Sequence, residues 1–136
     1  MTDPACIFCR IISGQIPALK VYEDDQTFAF LDIAPFEKGH VLVVPKRHAA
    51  FITDLPQAEL LPFISAVQKV AALLLKKLPC DGFNLVQNNG VCATQVVPHV
   101  HFHIVPRRNG QAMNWTPLKY DDPGELSEIH RRLTAP

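Results

Sequence analysis

The stretch His99-Val100-His101-Phe102-His103-Ile104-Val105 decides the architecture of this 136-residue chain. Histidine alternates with apolar residues here, Val96 and Val97 lie just upstream, and Pro106 and Arg107 follow. Strict period-two alternation marks a strand whose side chains point to opposite faces. The three imidazoles are therefore expected to line one face of a strand over residues 95–107, while Val100, Phe102 and Ile104 bury the other. Imidazole has the unperturbed pKa closest to neutrality and serves as nucleophile, acid/base or metal ligand. The plainer alternative is a solvated face that happens to be rich in histidine.

Working outward, residues 6–12 read as a short helix or turn that ends near Ser13-Gly14. Residues 18–22 and 27–31 form a hairpin around Glu23-Asp24-Asp25. Residues 33–39 are a loop punctuated by Pro35 and Gly39, and residues 40–45 are an apolar central strand. Leu60, Ile64, Val67, Ala71, Leu74 and Leu78 recur at helical spacing, which predicts one long helix over residues 56–78. Thr53 or Asp54 is its expected cap, and Pro62 predicts a kink or a late start. Residues 82–87 read as a further strand and 88–94 as a loop. Beyond Asn109 the chain is rich in Pro and Gly, up to a short surface helix at 125–132. Several strands with hairpin-length links and one long helix predict an α+β fold, an antiparallel sheet with helices packed on it.

Length fits one domain, residues 1–136. Apolar residues make up 48% and charged residues 19%, the composition of an ordinary globular chain. Thirteen basic residues balance thirteen acidic ones, so no general pull toward nucleic acid or an anionic membrane is expected. The run Val70–Leu75 stops at Lys76, too short to span a bilayer. Met1-Thr2-Asp3-Pro4 lacks the pattern of a signal peptide, which makes the cytosol the expected compartment. There Cys6, Cys9, Cys80 and Cys92 are expected as thiols or metal ligands.

Two chemistries are legible, a metal site and a phosphoryl-transfer site. Cys6-x-x-Cys9 supplies half of a tetrahedral zinc centre, completed by histidines such as His48 and one member of the triple. Near a helix the same pair also reads as a redox motif. His40 and His48 fall at the two ends of the central strand, where each taken singly is also a plain exposed residue. Asn88-Asn89-Gly90 and Gln95 supply donors for phosphate oxygens, or simply a turn. Asp32 follows a strand, as a ribose ligand or a turn residue would.

Together these blocks resemble the histidine triad family, whose motif His-φ-His-φ-His-φ-φ (φ, apolar) is matched by residues 99–105. The resemblance extends over about residues 6–108, leaving 109–136 as a C-terminal extension in which Trp115 receives no assignment. Cys6-Ile7-Phe8-Cys9, Val21-Tyr22-Glu23-Asp24, Phe30-Leu31-Asp32-Ile33, residues 39–48 and Asn88-Asn89-Gly90 also carry it. The match is to the nucleotide-binding branch, in its zinc-bearing bacterial-type form. It implies His101 as the nucleophile that forms a nucleotidyl-histidine, His103 as a phosphate contact, and His40 as a supporting member. It implies a structural zinc on Cys6, Cys9, His48 and His99. Asp32 is implied at the ribose, and Phe8, Ile11, Ile16, Phe30 and Ile33 around the base. Asn88, Gln95 and the N–H of Val96 are implied at the phosphate. Thr94 and Val96 depart from the family, many of whose members carry Gly before the glutamine and Ser or Thr after it.

The function so implied is hydrolysis or nucleotidyl transfer on purine nucleoside phosphoramidates or related AMP conjugates, in a homodimer with a continuous sheet. Two alternatives stand beside it: a dinucleoside polyphosphate hydrolase, and a nucleotide-sensing protein whose turnover is incidental.

Overall fold

A computed structural model describes residues 2–136; Met1, where the expected single unit begins, lies outside the described residues. In chain order the elements are α1 (Ile7–Ile12), β1 (Lys20–Glu23), β2 (Thr27–Leu31), β3 (Val41–Pro45), α2 (Gln57–Lys77), β4 (Gly82–Gln87), β5 (Phe102–Arg107) and α3 (Pro123–Thr134). The strands form one sheet in the order β1-β2-β3-β5-β4, with every neighbouring pair antiparallel. This is the α+β architecture expected from the sequence, including the long helix and the short N-terminal one.

Every residue of β2 and β3 is buried, because both faces of the central sheet are covered. On one face Ala29, Leu31, Val41, Val43, Val100 and Ile104 meet Phe63, Ala66, Val67, Val70, Ala71 and Leu74 of α2. On the other, Phe28, Phe30, Leu42 and Val44 pack with Cys6, Phe8 and Cys9 of the N-terminal segment. Leu42 pairs with His103 and Val43 with Phe102, so the histidines share the second face and the apolar partners the first. The alternation is therefore real. The histidine face is covered rather than solvated, and His99 and His101 are only 0% and 5% exposed.

The expected strand over 95–107 is shorter, beginning at Phe102. Pro98 cannot donate to a ladder, the His99 N–H turns to the Val97 carbonyl, and the Val100 N–H bonds the Ala49 carbonyl. His40 likewise precedes β3, since its N–H closes a turn on the Glu37 carbonyl. Residues 52–54 form a 3-10 turn in which the Asp54 carboxylate accepts from the Phe51 N–H. Asp54 therefore does not cap α2, whose N-cap is Pro56 with no side-chain bond. The helix starts at Gln57 and runs through Pro62, so of the two outcomes expected of Pro62, a kink or a late start, the late start does not occur. The missing N–H of Pro62 frees only the carbonyl of Ala58, an exposed residue that water can serve.

By length and composition alone α2 is long and apolar enough to cross a membrane, with 21 residues and an 18-residue stretch of mean hydropathy 1.6. The sequence reading, resting on the run 70–75, missed this. In the fold α2 is a core helix laid on the sheet. The C-terminal helix is longer than expected because Asp122 caps it through the Glu125 N–H and Pro123 occupies its first turn. It docks rather than floats: Leu133 is buried with Leu126 and Ile129 against the main core, and His130 Nε2 donates to the Lys20 carbonyl at 2.7 Å.

Candidate active site and metal centre

Each imidazole in the cluster has a tautomer dictated by its neighbours, because a carbonyl oxygen only accepts and a backbone N–H only donates. His101 Nδ1 lies 2.7 Å from the His99 carbonyl, so Nδ1 carries the proton and Nε2 keeps its lone pair. The Phe36 N–H donates to His40 Nδ1 at 3.0 Å, so the proton of neutral His40 resides on Nε2. That Nε2–H meets His103 Nδ1 at 2.9 Å, which leaves His103 with its proton on Nε2. His99 Nε2 donates to the Pro45 carbonyl at 2.8 Å, turning the Nδ1 lone pair toward the cysteines. His101, just before β5, thus presents a nucleophilic nitrogen and, two residues on, His103 in β5 presents a donor. Neither Nε2 has a hydrogen-bond partner among the described residues.

Burial keeps these rings neutral. It lowers His40 to about 3, helped by the neighbouring His103, His101 and Arg107. It lowers His103 to about 4, with His101 adding to the effect, and it pulls His101 below the usual imidazole range. The unfolded chain titrates near pH 6.5, so below that pH it binds protons that the folded chain refuses. Stability is therefore complete above about pH 6.5 and falls as pH drops toward the folded values. Melting temperature should decline across this window, and the slope should be shallower in His103→Asn, which removes one of the sites.

Cys6 Sγ and His99 Nδ1 are 3.3 Å apart, Cys9 Sγ and His48 Nδ1 3.5 Å, Cys9 Sγ and His99 Nδ1 3.6 Å, and the two Nδ1 atoms 3.3 Å. A tetrahedral zinc with bonds of about 2.0–2.3 Å needs ligand separations of roughly 3.3–3.8 Å, and the quartet fits. The outer contacts fit as well. The Asp3 and Cys9 N–H groups point at the sulfurs of Cys9 and Cys6, His99 is fixed by Pro45, and the Asp3 carboxylate lies 3.7 Å from His48 Nε2. Burial pushes the Cys9 thiol up, with adjacent Cys6 adding to the shift, so a pair of thiolates here calls for a cation.

Asp32, His40 and His103 also bring three donor atoms within 4.8 Å of one another. They do not suit a metal. With Nδ1 of His40 occupied by the Phe36 N–H, its Nε2 carries the proton and has no lone pair to give. Asp32 is raised by burial against the opposing Ala34 N–H bond. One oxygen accepts that N–H at 2.9 Å, and the other lies 3.8 Å from His40 Nε2.

Of the residues expected around a base, Phe8 and Phe30 are buried and pack edge to face at 5.5 Å. Phe8 also meets His101 at 5.1 Å. Ile11 and Ile16 are half-buried, while Ile33 is 77% exposed. In the 88–97 loop, Gln95 faces inward. Its Oε1 accepts from the Gly90 N–H and its Nε2 donates to the Ala50 carbonyl, both at 2.7 Å. Gln95 therefore commits its oxygen and one of its two N–H donors to shaping the loop, which leaves the second N–H. Val96 is exposed and its N–H has no partner among the described residues, as is true of the Asn88 side chain. Thr94 sits at φ 67°, the left-handed conformation that glycine adopts without strain, which is why the position tolerates the family's glycine.

Residues with no sequence-level assignment complete the site. Phe36 stacks on His40 at 5.3 Å, Trp115 meets Phe36 at 5.8 Å, and the Arg107 guanidinium lies 4.8 Å over Trp115. Their only sequence signals are an aromatic in a Pro-flanked loop and the single tryptophan.

The HIT domain model matches residues 13–110. The chain belongs to the HIT domain family. Among its relatives, adenosine 5'-monophosphoramidase HNT1 of Saccharomyces cerevisiae is 40% identical over 136 residues, covering 98% of this chain and 83% of that protein. Adenylylsulfatase HINT3 of Arabidopsis thaliana is 41% identical over 103 residues, 76% of this chain and 52% of that protein. The crystal structure of a Zn-bound histidine triad family protein from Mycobacterium smegmatis superposes with a TM-score of 0.85 at 38% identity, covering 95% of this chain and 90% of that one.

Proposed function

We propose that this HIT protein hydrolyses purine nucleoside phosphoramidates and related AMP conjugates through a nucleotidyl-His101 intermediate. The observation that carries the proposal is the paired tautomers, a free Nε2 lone pair on His101 beside an Nε2–H on His103. Nε2 of His101 attacks the α-phosphorus as the P–N bond breaks; the Nε2–H of neutral His103 donates a hydrogen bond to the leaving nitrogen, which takes its proton from solvent. The imidazolium so formed is stabilised through its Nδ1–H bond to the His99 carbonyl. Water then attacks phosphorus and gives its proton back to solvent, releasing AMP and free His101. Asp32 holds the ribose through the oxygen not engaged by Ala34, and Phe8, Ile11, Ile16, Phe30 and Ile33 flank the base. Asn88, the second N–H of Gln95 and the Val96 N–H serve the phosphate. Cys6, Cys9, His48 and His99 hold zinc, whose contribution is structural, tying the N-terminal segment to the histidine segment.

The phosphoramidase and adenylylsulfatase relatives support an AMP-conjugate substrate. An adenosine 5′-phosphoramidate should be cleaved with higher kcat/KM than diadenosine tetraphosphate. A polyphosphate leaving group calls for cationic clamps. Arg107 is committed to Asn84 Oδ1 and the Asn114 carbonyl, so it is poorly placed to be one. Steady-state rates on the two compounds test this, and a preference for the tetraphosphate would favour the polyphosphate hydrolase reading.

The functional unit proposed is a homodimer. β4 is an edge strand, and Leu85 on it is 48% exposed beside Ile64 and Leu75 of α2, each 44% exposed. An open edge with an adjoining apolar face is the combination that pairs with a second copy.

A further inference from the structure

The C-terminal extension reaches back to the loop between β2 and β3. The Gly39 N–H donates to the Tyr120 hydroxyl at 2.9 Å, and the Leu118 N–H donates to the Pro35 carbonyl at 2.7 Å. Lys38 Nζ pairs with Asp121 at 2.7 Å and Glu125 at 2.8 Å. Trp115 lies against Phe36. Each of these contacts falls on residues 35–39, the segment that ends at His40. Gly39 itself adopts φ +97°, and a Cβ there would meet Leu78 Cδ1 at 2.8 Å, so the loop has a single close-fitting path.

We propose that the C-terminal extension is a positioning strap: Tyr120 and Leu118 hold residues 35–39 so that the Phe36 N–H fixes the tautomer of His40, and through it that of His103. The chain of donors is continuous, from the Phe36 N–H to His40 Nδ1 and from His40 Nε2–H to His103 Nδ1. Only while Phe36 donates is Nδ1 of His40 barred from carrying a proton. If the loop drifts, His40 gains access to the other tautomer, and its Nε2 becomes an acceptor facing His103 Nδ1. His103 then answers by moving its own proton to Nδ1, and the donor that faces the leaving group is lost. Tyr120 touches no reacting atom; it is a positioning residue. Lys38 contributes less, because its pair with Asp121 is exposed and that with Glu125 only half-buried, so both are screened by solvent. The consequence for turnover rests on the donor role proposed above for His103, whereas the tautomer itself does not.

The test is Tyr120→Phe, with Tyr120→Ala as the stronger variant and circular dichroism confirming that both fold. Two readouts are independent of substrate: amide hydrogen exchange at Phe36, and the nitrogen chemical shifts of His103. In the parent protein the shifts should report protonation at Nε2 alone. In Tyr120→Phe, exchange at Phe36 should rise about tenfold, the worth of one hydrogen bond, and His103 should become a mixture of tautomers while His101 stays unchanged. The kcat for phosphoramidate should fall with little change in KM. An unaltered Phe36 exchange rate and His103 spectrum in both variants would overturn the strap. Mixed His103 tautomers with undiminished kcat would support the strap and instead overturn the donor role of His103.

Discussion

Replacing His101 with Ala is expected to lower turnover of an adenosine phosphoramidate by at least ~10³-fold, the scale of losing a nucleophile. No other group can take over the attack. His99 directs its Nδ1 at the cysteines and His103 presents a protonated nitrogen, so the chain offers one free imidazole lone pair at this point. The substitution also carries a structural cost that the sequence alone would understate. His101 is 5% exposed, packs against Phe8 and bonds the His99 carbonyl. We expect a destabilisation of about 1–3 kcal/mol that leaves the fold intact. Thermal melts run beside the kinetics separate the two effects, and near-parental turnover by a folded His101→Ala protein would refute the nucleophile assignment.

The second large effect concerns the metal. Protein purified without added metal should contain one zinc per chain, and the Cys6→Ser, Cys9→Ser double variant should contain none. At free zinc about 1,000-fold above Kd, binding contributes roughly 4 kcal/mol to the folded state, so the double variant should melt well below its parent. The loss should concentrate at the N-terminus, since Cys6 caps α1 and both cysteines belong to the core on the histidine face. Elemental analysis checks the stoichiometry. Zinc retained by the double variant would place the metal elsewhere.

What the sequence made legible was local and periodic. Alternation through residues 99–105 assigned the two faces correctly, and the spacing of Leu60 through Leu78 located α2 to within a residue at each end. Contacts made by distant segments were not legible. That the histidine face is covered depends on Phe8 and the two cysteines crossing beneath the sheet, more than 90 residues away in sequence in the case of Cys6 and His99. The inward turn of Gln95 depends on Ala50, and the backbone of Phe36 leaves no trace in the identity of its side chain. Tautomers belong to the same class: a histidine's position can be read from a pattern, but the location of its proton is set by whichever carbonyl or N–H the fold brings to it.

The most direct test of the account is to trap the intermediate. A substrate is mixed with the protein, the reaction is quenched under alkaline conditions that preserve phosphoramidate bonds, and the digested peptides are mapped by mass spectrometry. The account predicts AMP covalently attached to the peptide spanning residues 98–107, localised to His101 and absent from His101→Ala. Rapid turnover with no adduct at any time point, or an adduct on a different residue, would contradict it.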